Sequence, residues 1–360
     1  MNNIFTPYLE KIEQEIANSL PEFAEKDWLA QSFGCLPECI TADTFEPLIK
    51  PTRSLIDLGG KRWRPLFLVL CAESYAKTNS SSVLDTAYHL TPLVEFVHTA
   101  SLIHDDIEDS SESRRNQPAA YITYGIDVAI NAGSWLYFEA PVCINSLNVS
   151  TEAKLSLYKI YTNELRKLHL GQAMDITWHK NTAFCPSQEQ YLAMVKNKTG
   201  TLASLAAKIG SSIAGAPADV SDKCGQTASE IGAGFQIIDD VINLTTGNPG
   251  KKRGDDIVEN KKSLPVILFA EKYGTSSAEF KELTSYFEQA KKEGINSPAV
   301  ENAIALLEKS GVIEEARIKG IQFIKDSCNA YRNMFGADNE GVEKINALFT
   351  AMIPASVIKE

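Results

Sequence analysis

An apolar helical segment that ends in a dense group of carboxylates constrains this chain more than any other stretch. The apolar run Leu93–Ile103 has helical character and leads into Leu102-Ile-His-Asp-Asp-Ile-Glu-Asp-Ser110. On a helix, Asp105 and Asp109 lie one turn apart on the same face, so their charges repel each other. Unless the helix end is simply a solvated acidic surface, a cation must neutralise it. Carboxylate oxygens in this arrangement suit Mg²⁺, which completes its coordination shell with waters and substrate phosphates.

A second apolar helix ends in the same way farther along the chain. The stretch Gly234-Phe-Gln-Ile-Ile-Asp-Asp-Val-Ile-Asn243 contains Asp239 and Asp240, and Asn243 supplies an oxygen four residues after Asp239. Two such helix ends can face each other across the cavity of a bundle and hold metal ions between them. Strand signals are nearly absent along the chain. The sequence therefore predicts an all-α fold, a single large helical bundle with a central cavity.

The composition argues against several classes of partner. With 360 residues and a hydrophobic content of 44%, the chain can bury a large core. Its formal net charge of −11 disfavours binding to nucleic acid or to an acidic membrane surface. No run of about eighteen apolar residues lacks a charge, so no transmembrane segment is predicted. Seven scattered cysteines, and no secretory signal pattern near Met1, predict a cytoplasmic protein with reduced thiols.

The chain has no internal repeat and no linker rich in Gly, Ser or Pro, which favours one domain over residues 1–360. Within it we expect an N-terminal helical scaffold (1–50), a catalytic core (51–272) and C-terminal helices (273–360). Between the first two helices lies a looser segment with Pro21, Gly34 and Pro37. Periodicity predicts helices over 2–19, 42–57, 66–75, 82–109, 125–148, 151–179 and 187–214, with Ser187 as an N-cap, and a long loop over 247–265.

Cationic residues recur where the helical pattern is interrupted. The segment Gly59-Gly-Lys-Arg-Trp-Arg-Pro65 places three cations within four residues at a helix start. Such a corner either carries solvated charges or holds a phosphate between side chains and helix-start amides. Arg114 and Arg115 directly follow the acidic cluster, and guanidinium groups can bind phosphate oxygens bidentately. Lys196-Asn-Lys-Thr-Gly200 is a polar break within an apolar helix, a pattern typical of a cavity lining.

Two carboxylate clusters together with dispersed cations predict a site for a polyanionic substrate, in particular a diphosphate bridged by Mg²⁺. Diphosphate is a good leaving group once metal ions and cations take up its developing charge. The large apolar helices around the clusters imply a substrate with an apolar tail. The cations are Lys61, Arg64, Arg114, Arg115, Lys198, Lys251 and Lys261.

These motifs, in this order, resemble those of the trans-isoprenyl diphosphate synthases of the polyprenyl synthetase family. The resemblance covers residues 59–265 and continues in helical C-terminal material. It implies a Mg²⁺-dependent, homodimeric prenyltransferase with three ions per active site, which joins isopentenyl diphosphate to an allylic prenyl diphosphate. The motifs are GGKRxRP from Gly59, EFxHTAxLxHDDxxD from Glu95, RR at 114–115, KTG at 198–200, FQxxDD from Phe235 and GKxxGxDxxxxK from Gly250.

The resemblance also implies a role for each motif residue. Asp105 and Asp109 would ligate Mg²⁺ on the allylic diphosphate with Asp106 in support, and Asp239, beside Asp240, would hold a further ion. The remaining roles are binding of the isopentenyl diphosphate by Lys61, Arg64, His98 and Arg115, binding of the allylic diphosphate by Arg114, Lys198, Lys251 and Lys261, and contact with the allylic carbocation by Thr199 and Gln236.

Three asparagines depart from the family's usual residues. Asn243 stands where a third aspartate is common, and its amide oxygen is a weaker metal ligand than a carboxylate. Asn116 and Asn260 each stand where glycine is common. None of the three departures removes a charged group that the resemblance assigns to substrate binding.

The length of the product is predicted from the helix that ends at Asp105. Ser101, Ala100 and Val97 precede Asp105 by four, five and eight positions, so the growing tail should pass them in turn. In the family, an aromatic side chain at the first of these turns stops growth at fifteen carbons. Ala100 and Ser101 are small, which predicts geranylgeranyl diphosphate or a longer prenyl product.

Two other functions compete with this prediction. A class I terpene cyclase shares the fold and the first motif, but its second motif ends in a glutamate where this chain has Gly247, and it lacks the GGKRxRP corner. A catalytically silent subunit of a heteromeric synthase is the non-enzyme alternative, although such a subunit is expected to lose aspartates or cations that this chain retains.

Overall fold

The computed structural model describes residues 3–76, 80–181, 184–247, 252–355 and 357. Helix makes up 77% of the structure and strands are almost absent, which confirms the predicted all-α fold. In the described ranges two strands, β1 (Ser113–Arg114) and β2 (Gln117–Pro118), pair antiparallel. The α-helices are α1 (Thr6–Ser19), α2 (Lys26–Phe33), α3 (Glu46–Ile56), α4 (Trp63–Tyr75), α5 (Ser80–His89), α6 (Pro92–Glu108), α7 (Ala120–Tyr124), α8 (Ile126–Glu139), α9 (Val142–Asn145), α10 (Thr151–Lys180), α11 (Gln188–Val195), α12 (Thr201–Ile213), α13 (Ala218–Leu244), α14 (Asp255–Val258), α15 (Leu264–Tyr273), α16 (Ala278–Glu293), α17 (Pro298–Ser310), α18 (Val312–Phe335) and α19 (Glu340–Met352).

The chain forms two compact units, each built from three segments. The first unit contains residues 1–164, 204–225 and 335–348. The second contains residues 165–203, 226–334 and 349–360. The single-domain organisation over residues 1–360 stays a prediction.

Helices α4 and α6 supply the interior of the first unit. Residues 66–72 of α4 are at most 1% exposed, as expected for a helix that is apolar on every side. In α6, Ile103 packs in a cluster with Leu55, Ala120 and Ala129. The acidic end of α6 therefore directly follows a well-packed apolar segment, whose neighbours limit its movement.

Proline divides two of the predicted helices. The helix expected over 82–109 is α5 and α6, since α5 ends at His89 and α6 begins at Pro92. Pro92 has no N–H to donate, and its ring clashes with the carbonyl four residues earlier, so a proline suits the first turn of a new helix. Pro141 likewise separates α8 from α9 within the helix expected over 125–148.

The prediction of a looser segment between the first two helices is wrong for α2. Trp28 packs edge-on against Phe33 and Trp135, with ring centroids 5.9 and 6.2 Å away. Its indole Nε1 also donates a hydrogen bond of 3.0 Å to the backbone carbonyl of Ser19. Eight residues are too few for periodicity to identify a helix, and here tertiary packing of aromatic rings stabilises it.

The core of the second unit is formed mainly by α13 and by α15 to α17. Ile237 and Val241 of α13 cluster with Tyr191, Ile267 and Ile304. No helix in the described part of the chain combines the length and the apolar composition that crossing a membrane requires.

The predicted N-cap of α11 is confirmed. Ser187 Oγ accepts from the backbone N–H of Gln190 at 3.2 Å, and the Gln190 side-chain oxygen accepts from the backbone N–H of Ser187 at 2.9 Å. This reciprocal pair satisfies two of the donors that a helix start leaves without a partner.

Glu139, at the end of α8, is a buried carboxyl with one short hydrogen bond. It is 6% exposed, and Ser32 Oγ donates to its Oε1 at 2.5 Å. Burial raises the pKa of Glu139 to about 7 from an ordinary value of 4.5, against the opposing effect of the Ser32 hydrogen bond. Between these two values the folded protein binds more protons than the unfolded chain, so stability falls as the pH rises.

We expect Glu139→Gln to remove this pH dependence. A neutral amide still accepts from Ser32, so the variant should resemble the wild type near pH 4, below both pKa values, and gain roughly 3 kcal/mol over it near pH 8. Free energies of unfolding from denaturant titration at the two pH values measure the difference. Glu288→Gln, at an exposed position of α16, is the control. A gain of the same size at both pH values would contradict the argument.

Candidate active site

The acidic end of α6 is partly neutralised by an arginine of the hairpin that follows it. Arg114 Nη2 donates to Asp106 Oδ1 in a short ion pair and lies 3.6 Å from Asp105 Oδ2. Burial lowers the pKa of the Arg114 guanidinium, but Asp106 and Asp105 outweigh it, and the pKa lies above its ordinary value. Asp106 is 2% exposed, whereas Asp105 and Asp109 are partly exposed on the same helix. The geometry thus separates a buried, paired carboxylate from two that solvent or a ligand can reach.

A tight turn brings the arginine pair back to this end. The register Ser113↔Pro118 and Arg114↔Gln117 leaves Arg115 and Asn116 as the two turn residues. Both have left-handed backbones, with φ of 53° and 63°. Two-residue hairpins favour positive φ at both central positions because their twist then matches that of the strands. Asn116 replaces glycine here at low strain, because asparagine adopts the left-handed backbone more readily than most residues.

The residues of α6 fit a magnesium ion by their chemistry. Asp105 and Asp109 present carboxylate oxygens one turn apart, which are the hard ligands that Mg²⁺ prefers. Among the described residues, no three His, Cys, Asp or Glu side chains lie close enough to enclose a metal ion by themselves. This agrees with Mg²⁺ sites that use one or two carboxylates and take their other ligands from water and substrate phosphates.

A second cationic group forms at the glycine corner before α4. Arg115 Nη1 donates to the Gly59 carbonyl in a short hydrogen bond, and to the Leu55 carbonyl at 3.3 Å. A Cβ on Gly60 would lie 3.1 Å from Arg115 Nη2, so glycine leaves room for the guanidinium. The Gly60 backbone, with φ of 153°, also suits glycine best. Lys61 follows directly on this corner and is exposed.

His98 connects this corner to α6. Its Nε2 lies 3.5 Å from Arg64 Nη1. Burial, and then the charges of Arg64 and Arg115, hold the pKa of His98 well below its ordinary value, so the imidazole is neutral at neutral pH. The structure therefore brings Arg64, His98 and Arg115 together around the corner that carries Lys61. A neutral imidazole among cations can donate one hydrogen bond to an anion without adding a charge.

Arg62 has a structural role that its position in the motif did not indicate. It is 5% exposed, and its guanidinium pairs with Glu95 Oε1 at 2.6 Å and Glu13 Oε1 at 2.8 Å. Its Nη2 also donates to the Ile56 carbonyl at 2.7 Å. Arg62, one of the three cations of the corner, thus connects α1 and α6 to the corner through buried contacts. No signal in the sequence indicated Glu13 as its partner.

In the second unit, the two aspartates at the end of α13 have different environments. Asp239 is exposed, whereas Asp240 is 5% exposed. Asp240 accepts from Tyr191 Oη at 2.7 Å, from the Leu264 N–H at 3.0 Å and from Gln236 Nε2 at 3.1 Å. Burial raises the pKa of Asp240 to about 6 despite these bonds. Asp239 is therefore the one that can reach a metal ion or substrate, while Asp240 organises its neighbours.

Asn243 is buried one turn beyond Asp239. Its Oδ1 lies 3.4 Å from the backbone N–H of Asp256, at the start of α14, and its carbonyl accepts from the Gly254 N–H at 2.9 Å. The side chain is 1% exposed. Its oxygen thus faces a backbone donor of the loop that follows α13.

The predicted polar break is a π-helical turn. Residues 196–200 connect α11 to α12 with π-helical hydrogen bonding. A Cβ on Gly171 of α10 would lie 2.2 Å from the Lys198 backbone nitrogen, and a Cβ on Gly232 of α13 would lie 2.6 Å from the Gly200 Cα. Only glycine permits these approaches, so α10 and α13 both pack directly on the turn. Single π-turns inside helices occur frequently at functional sites.

Two hydrogen-bonded contacts fix the side chains of this turn. Thr199 Oγ1 donates to Gln236 Oε1 at 3.0 Å, and Gln236 in turn donates to Asp240. Lys198 Nζ donates to Asp175 Oδ2 at 2.5 Å. The structure therefore joins Thr199 of the turn to Gln236 of α13, and Lys198 of the turn to Asp175 of α10.

Asp175 on α10 is a site residue that sequence reasoning missed. Besides Lys198, His179 Nε2 lies 2.8 Å from its Oδ1. Burial raises the pKa of Asp175, but Lys198 and His179 outweigh it and hold that pKa well below its ordinary range. In the sequence, the feature that could have indicated Asp175 is that it is a single carboxylate in the largely apolar end of the helix predicted over 151–179.

The remaining predicted residues are placed as follows. Lys261 Nζ pairs with Glu259 at 2.5 Å and lies 3.8 Å from Asp256, so its charge is neutralised within its own loop. Lys251 lies outside the described residues. In α6, Val97 and Ala100 are fully buried, and Ser101 Oγ donates to the His98 carbonyl at 2.8 Å.

An all-α fold with two aspartate-ended helices and separate cationic groups defines an enzyme class that acts on diphosphates. The polyprenyl synthetase family model matches residues 46–302. A geranylgeranyl pyrophosphate synthase of Aspergillus versicolor is 36% identical over 327 residues, covering 88% of this chain and 81% of that protein. A geranylgeranyl diphosphate synthase of Methanosarcina mazei is 37% identical over 229 residues, covering 63% and 68%.

The fold agrees with solved structures. The geranylgeranyl pyrophosphate synthetase of Pyrococcus horikoshii superposes with a TM-score of 0.78 at 26% identity, over 97% of this chain and 96% of that one. The chain belongs to the polyprenyl synthetase family and is a trans-isoprenyl diphosphate synthase. Enzymes of this family are Mg²⁺-dependent prenyltransferases that use isopentenyl diphosphate and an allylic diphosphate.

Proposed function

We propose that this enzyme extends an allylic prenyl diphosphate with isopentenyl diphosphate to make all-trans geranylgeranyl diphosphate. The observation that carries the proposal is the gathering of Arg64, His98 and Arg115 at the glycine corner, apart from the acidic end of α6. A cyclase needs to bind one diphosphate, whereas a condensing enzyme needs to bind two. The relatives named as geranylgeranyl diphosphate synthases support the product.

We assign the corner to the diphosphate of isopentenyl diphosphate. Lys61, Arg64 and Arg115 supply the positive charge, and neutral His98 supplies a hydrogen bond. Asp105, Asp109 and Asp239 would hold the magnesium ions, three with substrate bound, and these would offset the charge that develops on the leaving diphosphate. Binding of the allylic diphosphate is assigned to Arg114, Lys198, Lys251 and Lys261.

The proposed reaction has three chemical steps, and side chains of this protein are assigned to the first. The C–O bond to the allylic diphosphate breaks, and the oxygens of the hydrogen-bonded Thr199 and Gln236 side chains would face the resulting carbocation. The double bond of isopentenyl diphosphate then attacks this cation to form the new C–C bond. A proton leaves the adduct, and the departed diphosphate is the acceptor, so no separate protein base is required.

The test is product analysis of the purified chain with Mg²⁺. Diphosphate release from isopentenyl plus farnesyl diphosphate, but not from farnesyl diphosphate alone, identifies prenyl transfer. Asp105→Ala should lower turnover by about a hundredfold or more, since it removes a proposed ligand of the magnesium ions that would offset the charge on the leaving diphosphate. Asp326→Ala, at an exposed position of α18, should leave turnover unchanged. Release from farnesyl diphosphate alone would instead identify a cyclase, and no release would identify a silent subunit.

The length of the product follows from the first turns of α6 before Asp105. One helical turn rises about 5.4 Å, close to the length of one extended isoprene unit. We propose that the tail passes Ser101 and Ala100 and then Val97. The burial of Ala100 and Val97 supports an apolar environment along this path.

We expect Ala100→Phe to shorten the main product from twenty carbons to fifteen, because an aromatic ring then occupies the first turn. Val97→Phe, one turn farther from Asp105, should stop growth later and leave a twenty-carbon product. Mass spectrometry of the products after dephosphorylation makes the comparison, with Tm values to verify folding. A wild type that stops at fifteen carbons, or an Ala100→Phe product of unchanged length, would contradict the assignment.

We propose that the enzyme is a homodimer in the cytoplasm. The seven cysteines are free thiols, as a reducing compartment requires, and cell fractionation checks this location. On the first unit, Ile126 and Ile130 of α8 lie one turn apart and are 54% and 44% exposed, and Ile122 of the preceding α7 is 52% exposed. Exposed isoleucines on α7 and α8 provide an apolar surface that a second copy of the chain can cover.

Ile130→Glu should therefore shift the molecular mass in solution from dimer to monomer, because a charge would be buried in the interface. Multi-angle light scattering measures the mass. Ile318→Glu is the matched control, since Ile318 is 54% exposed on α18 in the second unit. A dimer that survives Ile130→Glu, or a monomeric wild type with full activity, would contradict this interface.

A further inference from the structure

The side chain of Asn260 joins the loop before α15 to the end of α10. Asn260 Nδ2 donates to the His179 backbone carbonyl at 2.9 Å, and its Oδ1 accepts from Lys262 Nζ at 3.0 Å. The residue is 2% exposed and has a left-handed backbone with φ of 58°. Glycine takes this backbone most easily but has no side chain for either bond. Asparagine combines tolerance of the left-handed backbone with an amide that donates and accepts.

The carbonyl that accepts the hydrogen bond from Asn260 is that of His179, whose imidazole ring contacts Asp175. His179 Nε2 lies 2.8 Å from Asp175 Oδ1, and Lys198 Nζ lies 2.5 Å from Asp175 Oδ2. A continuous series of contacts thus runs from Lys262 and Asn260 in the loop, through α10, to the π-helical turn. All of its members belong to the second unit.

The long side chain of Lys198 depends on these contacts for a fixed position more than a shorter side chain would. A lysine side chain has many rotamers, and holding its ammonium in one place costs conformational entropy at the moment of binding. Asp175 limits this freedom only as long as its own carboxylate is fixed. His179 contacts Asp175 Oδ1, and Lys198 contacts Oδ2 of the same carboxylate. The position of the His179 ring therefore sets the direction in which Asp175 presents Oδ2 to Lys198.

We propose that Asn260 is a positioning residue: it fixes the end of α10, holds His179 against Asp175, and so sets the position of Lys198. The proposal rests on the proposed binding of the allylic diphosphate by Lys198. Asn260 acts through His179 and Asp175, so its loss should affect the allylic substrate and spare isopentenyl diphosphate, whose proposed ligands belong to the first unit.

Kinetics of the full chain with Mg²⁺, varying each substrate in turn, test this with Asn260→Gly. This variant keeps the left-handed backbone unstrained and removes both side-chain bonds. The KM for farnesyl diphosphate should rise about tenfold, the effect of losing one hydrogen bond that orients a charged group, while the KM for isopentenyl diphosphate stays within about twofold. Asn260→Asp keeps the acceptor for Lys262 but loses the donor to His179, and should behave like Asn260→Gly.

Asn339→Gly is the matched control. Asn339 Nδ2 also donates to a backbone carbonyl, that of Ser74, at 2.7 Å in the first unit. This variant should lower the Tm and leave both KM values unchanged. If Asn260→Gly does not fold, Asn260→Asp, which keeps the acceptor for Lys262 and removes the donor to His179, allows the same comparison. Equal rises in both KM values, or no rise in either, would overturn the proposal.

Hydrogen–deuterium exchange provides a measurement independent of turnover. Amides of residues 175–180 and 196–200 should exchange faster in Asn260→Gly than in the wild type, and unchanged exchange there would overturn the proposal. A wild type that releases no diphosphate from the two substrates would refute the proposed function instead. The exchange measurement still decides the positioning role in that case, so the two failures are distinguishable.

Discussion

Pairing of buried charges is the constraint on which the rest of this structure depends. Asp106 is paired with Arg114, Arg62 with Glu95, and Asp175 with Lys198. Taking a charge out of water costs several kcal/mol, and removing one partner of a buried pair typically costs about 3–5 kcal/mol because the other is left alone. Two of these pairs join one sequence motif to another, and the third joins Lys198 of the KTG motif to Asp175 of α10. Each motif therefore depends for its position on a partner in another segment.

Burial gives different environments to aspartates that are neighbours in the sequence. Asp105 and Asp106 are neighbours in sequence, as are Asp239 and Asp240, yet in each case one is exposed to some degree and the other is buried in a set of hydrogen bonds. A buried, hydrogen-bonded carboxylate can orient its neighbours. In each of the two aspartate pairs, the more exposed member is the one that solvent can reach.

Left-handed backbone conformations occur in the segments that carry the proposed substrate-binding residues. The non-glycine residues with positive φ include Arg62, Arg115, Asn116 and Asn260, which lie in the glycine corner, the hairpin turn and the loop before α15. The two asparagines adopt this backbone readily, whereas for an arginine it costs on the order of 1 kcal/mol or more and persists only where surrounding contacts enforce it. Arg115 and Arg62 have these contacts in the carbonyls of Gly59 and Ile56.

The sequence by itself determined the all-α class, the two aspartate-ended helices and the cations of the motifs, because a period of 3.6 residues and a run of charged residues are local properties. It also indicated the polar break at 196–200 and the cap at Ser187. Only the tertiary structure decided that Arg62 pairs with Glu13, 49 residues away, and that Asp175 holds Lys198, 23 residues away. Pairing between distant residues depends on which helices pack together, and periodicity within one helix contains no information about its neighbour.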